Sequence, residues 1–578
     1  MKQLKPKANI GRNAFDLSHR SVFTANFGEL LPCCCVETVP SNDEIIIRPA
    51  DLVRAMPLAT SPFLRAKQHI DFWFVPYSAL WSRFNEFMVD RDEPASAALN
   101  ARTYLPYVSL DDFRSLIDDI DVDSYRDIVG RPYVYGANKL LNLLGYGIAD
   151  GYVGDDNDVV PKVNLFRLCA YNFIWYKEYR QQYYDTGLHL MPSVSGVPAQ
   201  VARLWNLDDV RCNTVDGADV QRERTLDELR AMTQLRYRCY KKDLFTGLMP
   251  SQQYGDVSVV KGSLTGSLGE PTYENSGHGA SGDLSGAVSF ATPPGGDTTL
   301  LDPNYRYAAV RNTGISVLDL RKAEAVQRWR ENALRAGNQV EDNFEAHYGA
   351  KPRSHMITHP SFIGSYDAPL NIGDVVSTAQ TGDGENQALG DIAGKGLSSV
   401  NGNQITFKTN DFGVIIGMFS LLPETEYNGT GIDRMNQLLE REDFFVPEYE
   451  RLGLEPVDAF TFYSGYHGEP TDRKGIVGFA PRYWGYKQKL DRCYGELQHT
   501  AFKTGMFAHW CSPKDDVEQA IRSMQNNGVF PLSLLYVNPA VFDINFNVSV
   551  QNADQFLVDM FNEVTAIRGM SVSGMPGY

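Results

Sequence analysis

The chain has 578 residues, of which 12% are aromatic, and a formal net charge of −17 at pH 7. That acidity excludes a protein whose whole surface grips nucleic acid. The most apolar stretch, GVIIGMFSLLP from Gly413, is far shorter than the roughly 18 apolar residues of a membrane span, so no membrane insertion is expected.

The opening segment MKQLKPKANIGRN is basic, with no apolar run behind it, and does not read as a secretory signal. Lys2, Lys5, Lys7 and Arg12 stand there without an acid among them. Residues 1–20 therefore read as a basic N-terminal arm, able to meet phosphates without sequence preference. From Phe15 to Pro76 the pattern is strands: VFTANF, CCCVETV and EIIIRP are short, rich in β-branched or aromatic residues, and punctuated by Gly, Pro and Asn-Asp. The run Cys33-Cys34-Cys35 suits small buried thiols, and no C-x-x-C spacing supports a zinc ribbon or a thioredoxin-type site. In HIDFWFVPYSALWSR, from His69, Ile70, Phe72 and Phe74 share one face of a strand; His69, Asp71, Trp73 and Val75 take the other. Pro76 should end that strand, and Trp81, Phe84 and Phe87 follow at helical spacing. A strand apolar on both faces lies between layers or against another molecule. Phe72, Trp73, Phe74 and Trp81 are thus core or interface candidates.

Asp90 to Asp127 carries ten acids against four arginines, a local balance of 4 − 10 = −6, and reads as helix and loop. NLFRLCAYNFIWYKEYRQQYY, from Asn164, reads as a helix with Leu168, Tyr171, Trp175 and Tyr179 in one stripe. Core packing is the favoured role of that stripe. The alternative is stacking on single-stranded bases, aided by Arg167, Lys177 and Arg180. Gly255–Gly296 holds ten glycines and little apolar periodicity, as a long exposed loop would. Thr378–Gly396 is a second such stretch. Between them, from Leu320, Val326, Trp329, Ala333, Ala336, Val340 and Phe344 step along one helix face, which makes Trp329 a further core or interface candidate. After Gly413 the pattern returns to strands in GVIIGMFSLLP, RYWGYKQKLDRCYGEL and PAVFDINFNVSV.

Catalytic signatures are weak. GDIAGKG, from Gly390, is one residue short of a phosphate loop and has Gly396 where the magnesium-binding hydroxyl belongs, so a flexible turn is the better reading. His347, His355 and His359 lie within HYGAKPRSHMITHP, but Pro352 and Pro360 bracket the i, i+4 pair His355 and His359, which argues against a helical zinc pair. The pairs Asp111-Asp112, Asp118-Asp119 and Asp155-Asp156 read as a solvated face rather than a glycosidase dyad. No catalytic residue, metal or cofactor is expected.

MPLATSPFLRAKQHIDFWFVPYSALWSRFNEF, from Met56, resembles the signature of the major capsid proteins of the Microviridae, the small single-stranded DNA phages, and is most like their gokushovirus-like branch. FDLSHR at Phe15 and NLFRLCAYNFIWYKEYR are similar to further motifs of that family, as is YKKDLFTGLMPSQQYGD with Met249-Pro250 in place of Leu-Pro. So are the Leu320 helix, PRYWGYKQKLDRCYGEL and the terminal GMSVSGMPGY. The resemblance implies a mainly β fold, a single viral jelly-roll sandwich of eight antiparallel strands with long helical and Gly-rich insertions. In domain terms, residues 21–578 would form one discontinuous capsid domain, with strands mainly in 21–76 and 410–550. Insertions 90–160, 250–300 and 376–404 would be surface or interface loops. It further implies self-assembly, on the order of sixty copies with pentameric contacts, into an icosahedral shell around a circular single-stranded DNA genome. A minor pilot protein, an internal scaffolding protein and a host surface receptor would be partners; assembly would occur in the bacterial cytoplasm and the product would be the virion. The rival readings are an acidic, aromatic-rich carbohydrate-active β-sandwich enzyme and a receptor-binding decoration protein.

Overall fold

A computed structural model of the chain describes residues 11–40, 42–58, 65–89, 105–118, 132–148, 161–185, 205–208, 213–214, 226–253, 317–336, 345–349, 359–376, 392–466, 475–495, 522–523 and 531–572. The chain divides into two compact units: Met1–Gln252 with Gly337–Tyr578, and Gln253–Ala336.

Five strands open the first unit: β1 (Asn13–Asp16), β2 (His19–Ala25), β3 (Leu31–Thr38), β4 (Asp43–Ala55) and β5 (Ala66–Pro76). Short helices α1 (Tyr77–Leu80) and α2 (Phe84–Val89) follow where Pro76 ends the ladder. A mixed region comes next, with β6 (Pro106–Ser109), α3 (Leu110–Asp118), α4 (Tyr133–Leu143), β7 (Lys162–Val163), α5 (Phe166–Ile174), β8 (Asn213–Thr214) and α6 (Leu226–Thr233). A π-helical turn, Trp175–Tyr179, continues α5. The helix α7 (Val317–Ala336) belongs to the second unit. The first unit then resumes with β9 (Ser361–Val376), β10 (Ile392–Asn401), β11 (Ile405–Thr409) and β12 (Gly413–Pro423). Two small pairs, β13 (Tyr427–Asn428) with β16 (Arg492–Cys493) and β14 (Leu454–Asp458) with β15 (Ile476–Pro481), precede the last strand, β17 (Phe556–Arg568).

Among the described residues ten strands form one antiparallel sheet in the order β1-β17-β4-β10-β9-β5-β12-β3, with β2 also paired to β17 and β11 to β4. β9 is the corner. Its first part, Ser361–Leu370, pairs with β5, and its last part, Asn371–Val376, pairs with β10. The two half-sheets that it joins face each other. Phe23 of β2 meets Phe419 of β12 at 5.6 Å, and Phe74 of β5 meets Phe407 of β11 at 4.9 Å. Ile45, Ile47, Val53, Ile70, Phe72, Val558 and Met560 are all buried in one hydrophobic cluster with Phe23, Phe74 and Phe419. The fold is a mainly β, antiparallel jelly-roll sandwich.

β12 is buried at every position, as a strand covered on both faces must be. Gly417 has a packing role there: a Cβ would sit 2.8 Å from the Phe72 ring and 3.1 Å from Cys33 Sγ. β4 and β17 instead alternate buried and accessible residues, so one face of that half-sheet is uncovered.

The structure corrects several expectations. Residues 392–401, read as part of a Gly-rich loop, are β10, a ladder strand between β9 and β4; backbone pairing needs no apolar side chains. IAGKG is therefore strand, neither phosphate loop nor flexible turn. RYWGYKQKLDRCYGEL is not a long strand: Tyr483 adopts φ 60° and starts a short helix, Trp484–Lys487. PAVFDIN is a 3-10 helix, Pro539–Asn545, because Asn538 Oδ1 accepts from Ala540 N at 3.0 Å and proline suits a first turn. The strand that does occupy the C-terminal region, β17, lies in the centre of the half-sheet and beyond the expected 410–550 range. At the other end, β1 and β2 already pair with β17, so among the described residues of 1–20 the sheet begins at Asn13.

Candidate assembly surface

β5 explains its own composition. Ile70, Phe72 and Phe74 are buried on the sandwich side. On the reverse side, Trp73 Nε1 donates to Tyr179 Oη at 3.0 Å, and Tyr179 Oη donates to Asp71 Oδ2 at 2.7 Å. Arg238 Nη1 donates to the same carboxylate at 3.1 Å and to Ser420 Oγ at 2.9 Å. β5 is therefore covered on both faces, and the two-sided greasiness reflects layers above and below it. The cluster borders a cavity of about 280 Å³ lined by Asp71, Trp73, Tyr179, Gln181, Arg238 and Phe362, among others. Burial first, then the Asp71 carboxylate, holds the Tyr179 phenol well above its ordinary range. A neutral phenol bonded to an ion-paired carboxylate is a polar clip between layers, not an acid–base pair. Nearby, His69 Nδ1 lies 2.6 Å from Asp367 Oδ1. Burial, helped by the Arg238 guanidinium, lowers the His69 pKa against the pull of Asp367 and Asp71.

Trp81 is buried and its ring lies 5.8 Å from that of Phe87. Trp175 is buried, donates to Tyr237 O at 3.2 Å and carries the Arg236 guanidinium over its ring at 4.4 Å. Trp329, on α7, is 57% exposed. Arg12 donates to Asn42 O at 2.8 Å and Ile567 O at 3.2 Å and pairs with Glu44 at 3.5 Å. Lys2, Lys5, Lys7, His355, Gly255–Gly296 and most of Asp90–Asp127 lie outside the described residues.

Base stacking by the Asn164 helix is overturned. Leu168, Tyr171, Trp175 and Tyr179 are all buried, and Arg167 is engaged by Glu37, with Nε 2.6 Å from Oε1. Asp111 and Asp112 serve the start of α3: Asp111 pairs with Arg114 at 2.9 Å, and Asp112 accepts from Ser109 N at 3.0 Å. Cys33 and Cys34 are free and buried, and burial pushes the Cys35 thiol up to about 12. Among the described residues no group of three or more His, Cys, Asp or Glu could hold a metal ion.

What the sequence reading missed is apolar surface held in order. One such region is the uncovered face of the β2–β17–β4–β10 half-sheet, where Val22, Leu557, Phe561, Leu52 and Leu397 are exposed. The other is Asn436–Leu452, in which no residue is buried although Leu439, Phe444, Phe445 and Leu452 are apolar. The signal for the first was available: in β17, Leu557 and Phe561 stand at the outward positions of an otherwise polar face.

A jelly-roll sandwich that holds large apolar side chains in contact with solvent is the architecture of a subunit built to assemble. The chain belongs to the capsid protein (F protein) family, whose model matches residues 5–118 and 150–578. It is also similar to capsid protein VP1 of Chlamydia phage 1, at 21% identity, with 99% of this chain and 96% of the relative covered. The family legible in the motifs, the Microviridae major capsid proteins, is thereby borne out. The chain is a structural, non-enzymatic protein of the virion, and it self-assembles into a capsid.

Proposed function

We propose that this major capsid protein forms a small icosahedral shell, on the order of sixty copies with pentameric contacts, around a circular single-stranded DNA genome. The observation that carries this reading is the ordered apolar surface in two separate regions of one subunit, since a closed shell needs more than one kind of copy-to-copy contact. Lys2, Lys5 and Lys7 meet DNA phosphates on the inner surface. Arg12, bonded to Asn42, Glu44 and Ile567, anchors the base of that arm where the sheet begins. A pilot protein, an internal scaffolding protein and a host receptor bound through exposed loops complete the set of partners, with assembly in the host cytoplasm. Residues 21–578 act as one capsid domain whose insertions serve contacts and recognition.

The arm is tested by replacing Lys2, Lys5 and Lys7 with Ser and measuring packaged DNA and the salt dependence of DNA binding. Each neutralised phosphate contributes about 0.7 to the log–log slope for single strands, so the slope should flatten by up to ~2 units while shells still form. Normal packaging with an unchanged slope contradicts the arm.

A further inference from the structure

Asn436–Leu452 keeps its shape by polar clips rather than by a core. Asp433 Oδ1 accepts from Met435 N at 3.0 Å, and Asp443 Oδ2 accepts from the backbone N–H groups of Leu439 and Glu440 at 3.0 Å each. Val446 N donates to Tyr483 Oη at 3.3 Å, and Lys487 pairs with Glu450 at 3.3 Å. Leu439 is 87% exposed and Phe444 51%. A segment so fixed loses conformational freedom without burying its own apolar groups, which is how a binding element is pre-organised. From Leu438 to Leu452 it carries Glu440, Glu442, Asp443, Glu448 and Glu450 against Arg441 and Arg451, a balance of 2 − 5 = −3. Two such segments facing each other would repel.

The half-sheet face is its complement. Antiparallel register sets Thr24, Leu557, Arg54 and Leu397 in one row and Val22, Asp559, Leu52 and Ser399 in the next; Arg20, Phe561, Ala50 and Asn401 form a third. Arg20 is paired with Asp559 at 2.6 Å and Arg48 with Glu563 at 3.4 Å. Arg54, between Leu557 and Leu397, has no acidic partner among the described residues. The face therefore offers exposed aliphatic and aromatic surface, with Arg54 uncommitted among the described residues.

We propose that the acidic, aromatic segment Asn436–Leu452 of one copy docks on the β2–β17–β4–β10 face of a neighbouring copy, a heterologous contact in which an acid of the segment meets Arg54. Heterologous contacts generate rings when the rotation closes, as a shell requires. The inference rests on the capsid reading, and the test separates the two. Mosaic particles are made in which a minority of ¹⁵N-labelled full-length copies carry a photo-crosslinking phenylalanine analogue in place of Phe444, and mixed-isotope crosslinks are mapped by mass spectrometry. Crosslinks between labelled and unlabelled copies should fall at Arg20–Thr24, Arg48–Arg54, Leu397–Ser399 or Leu557–Glu563. Intact particles whose crosslinks map to Asn436–Leu452, to another surface, or only within one copy overturn the docking and leave the capsid role standing. As a second arm, Leu52→Ser with Phe561→Ser should lower particle yield more than tenfold with unchanged subunit melting; an unchanged yield also overturns it.

Discussion

Truncating Phe74 removes a ring that meets Phe407 across the sandwich at 4.9 Å. Phe→Ala at such a site costs about 3–5 kcal/mol, against a typical domain stability of roughly 5–15. Phe74→Ala should therefore lower the denaturant midpoint sharply and yield little assembled protein; an unchanged midpoint would show that the ring does not hold the two half-sheets together. His69 gives a pH signature. Its pKa is lowered in the native state by burial, so below the ordinary histidine value of about 6.5 the unfolded chain takes up a proton that the native state resists. That contribution to stability is complete above this value and is lost as pH falls through it. His69→Gln should flatten the decline between about pH 7.5 and 5.5 in unfolding titrations; a slope equal to that of the unsubstituted chain contradicts the assignment. At this scale alternation made Ile70, Phe72 and Phe74 legible as one inward face. The clip on the opposite face was not, because Asp71 and Arg238 are 167 residues apart and only the fold brings them together.

Local patterns announced the N-terminal strands and the helix at Asn164, where apolar spacing and burial agree. They failed where backbone chemistry outranked hydrophobicity. Gly-rich β10 pairs through main-chain groups alone, and Asn538-Pro539 starts a 3-10 turn in a stretch that otherwise reads as strand. The second case can be measured. Asn538→Ala removes the acceptor of the Ala540 N–H and should cost about 1 kcal/mol, within a range of roughly 0.5–2. Asn538→Asp, which keeps an acceptor, should restore most of it. Equal loss in both variants would mean that the amide acts through something other than the cap. β17 was overlooked because Leu557 and Phe561 break the polar-out alternation that usually marks a half-buried strand. The same side chains make its outer face a contact surface.

At the scale of the whole molecule, the motifs spread along the chain were enough to place it among phage capsid proteins, and the family match bears that placement out. The second apolar surface, Asn436–Leu452, was not legible, because exposure there depends on what the rest of the fold leaves uncovered. The acidic balance of the chain is compatible with enclosing DNA when basic charge is concentrated at one end, as Lys2, Lys5 and Lys7 are. The most direct measurement of the central claim is cryo-electron microscopy of purified virions, resolved well enough to trace this chain. It should show a closed icosahedral shell made of copies of this protein, each with the β5 strand inside the sandwich and with the genome within. A shell built from another protein, with this chain as external decoration or absent from the particle, would contradict it.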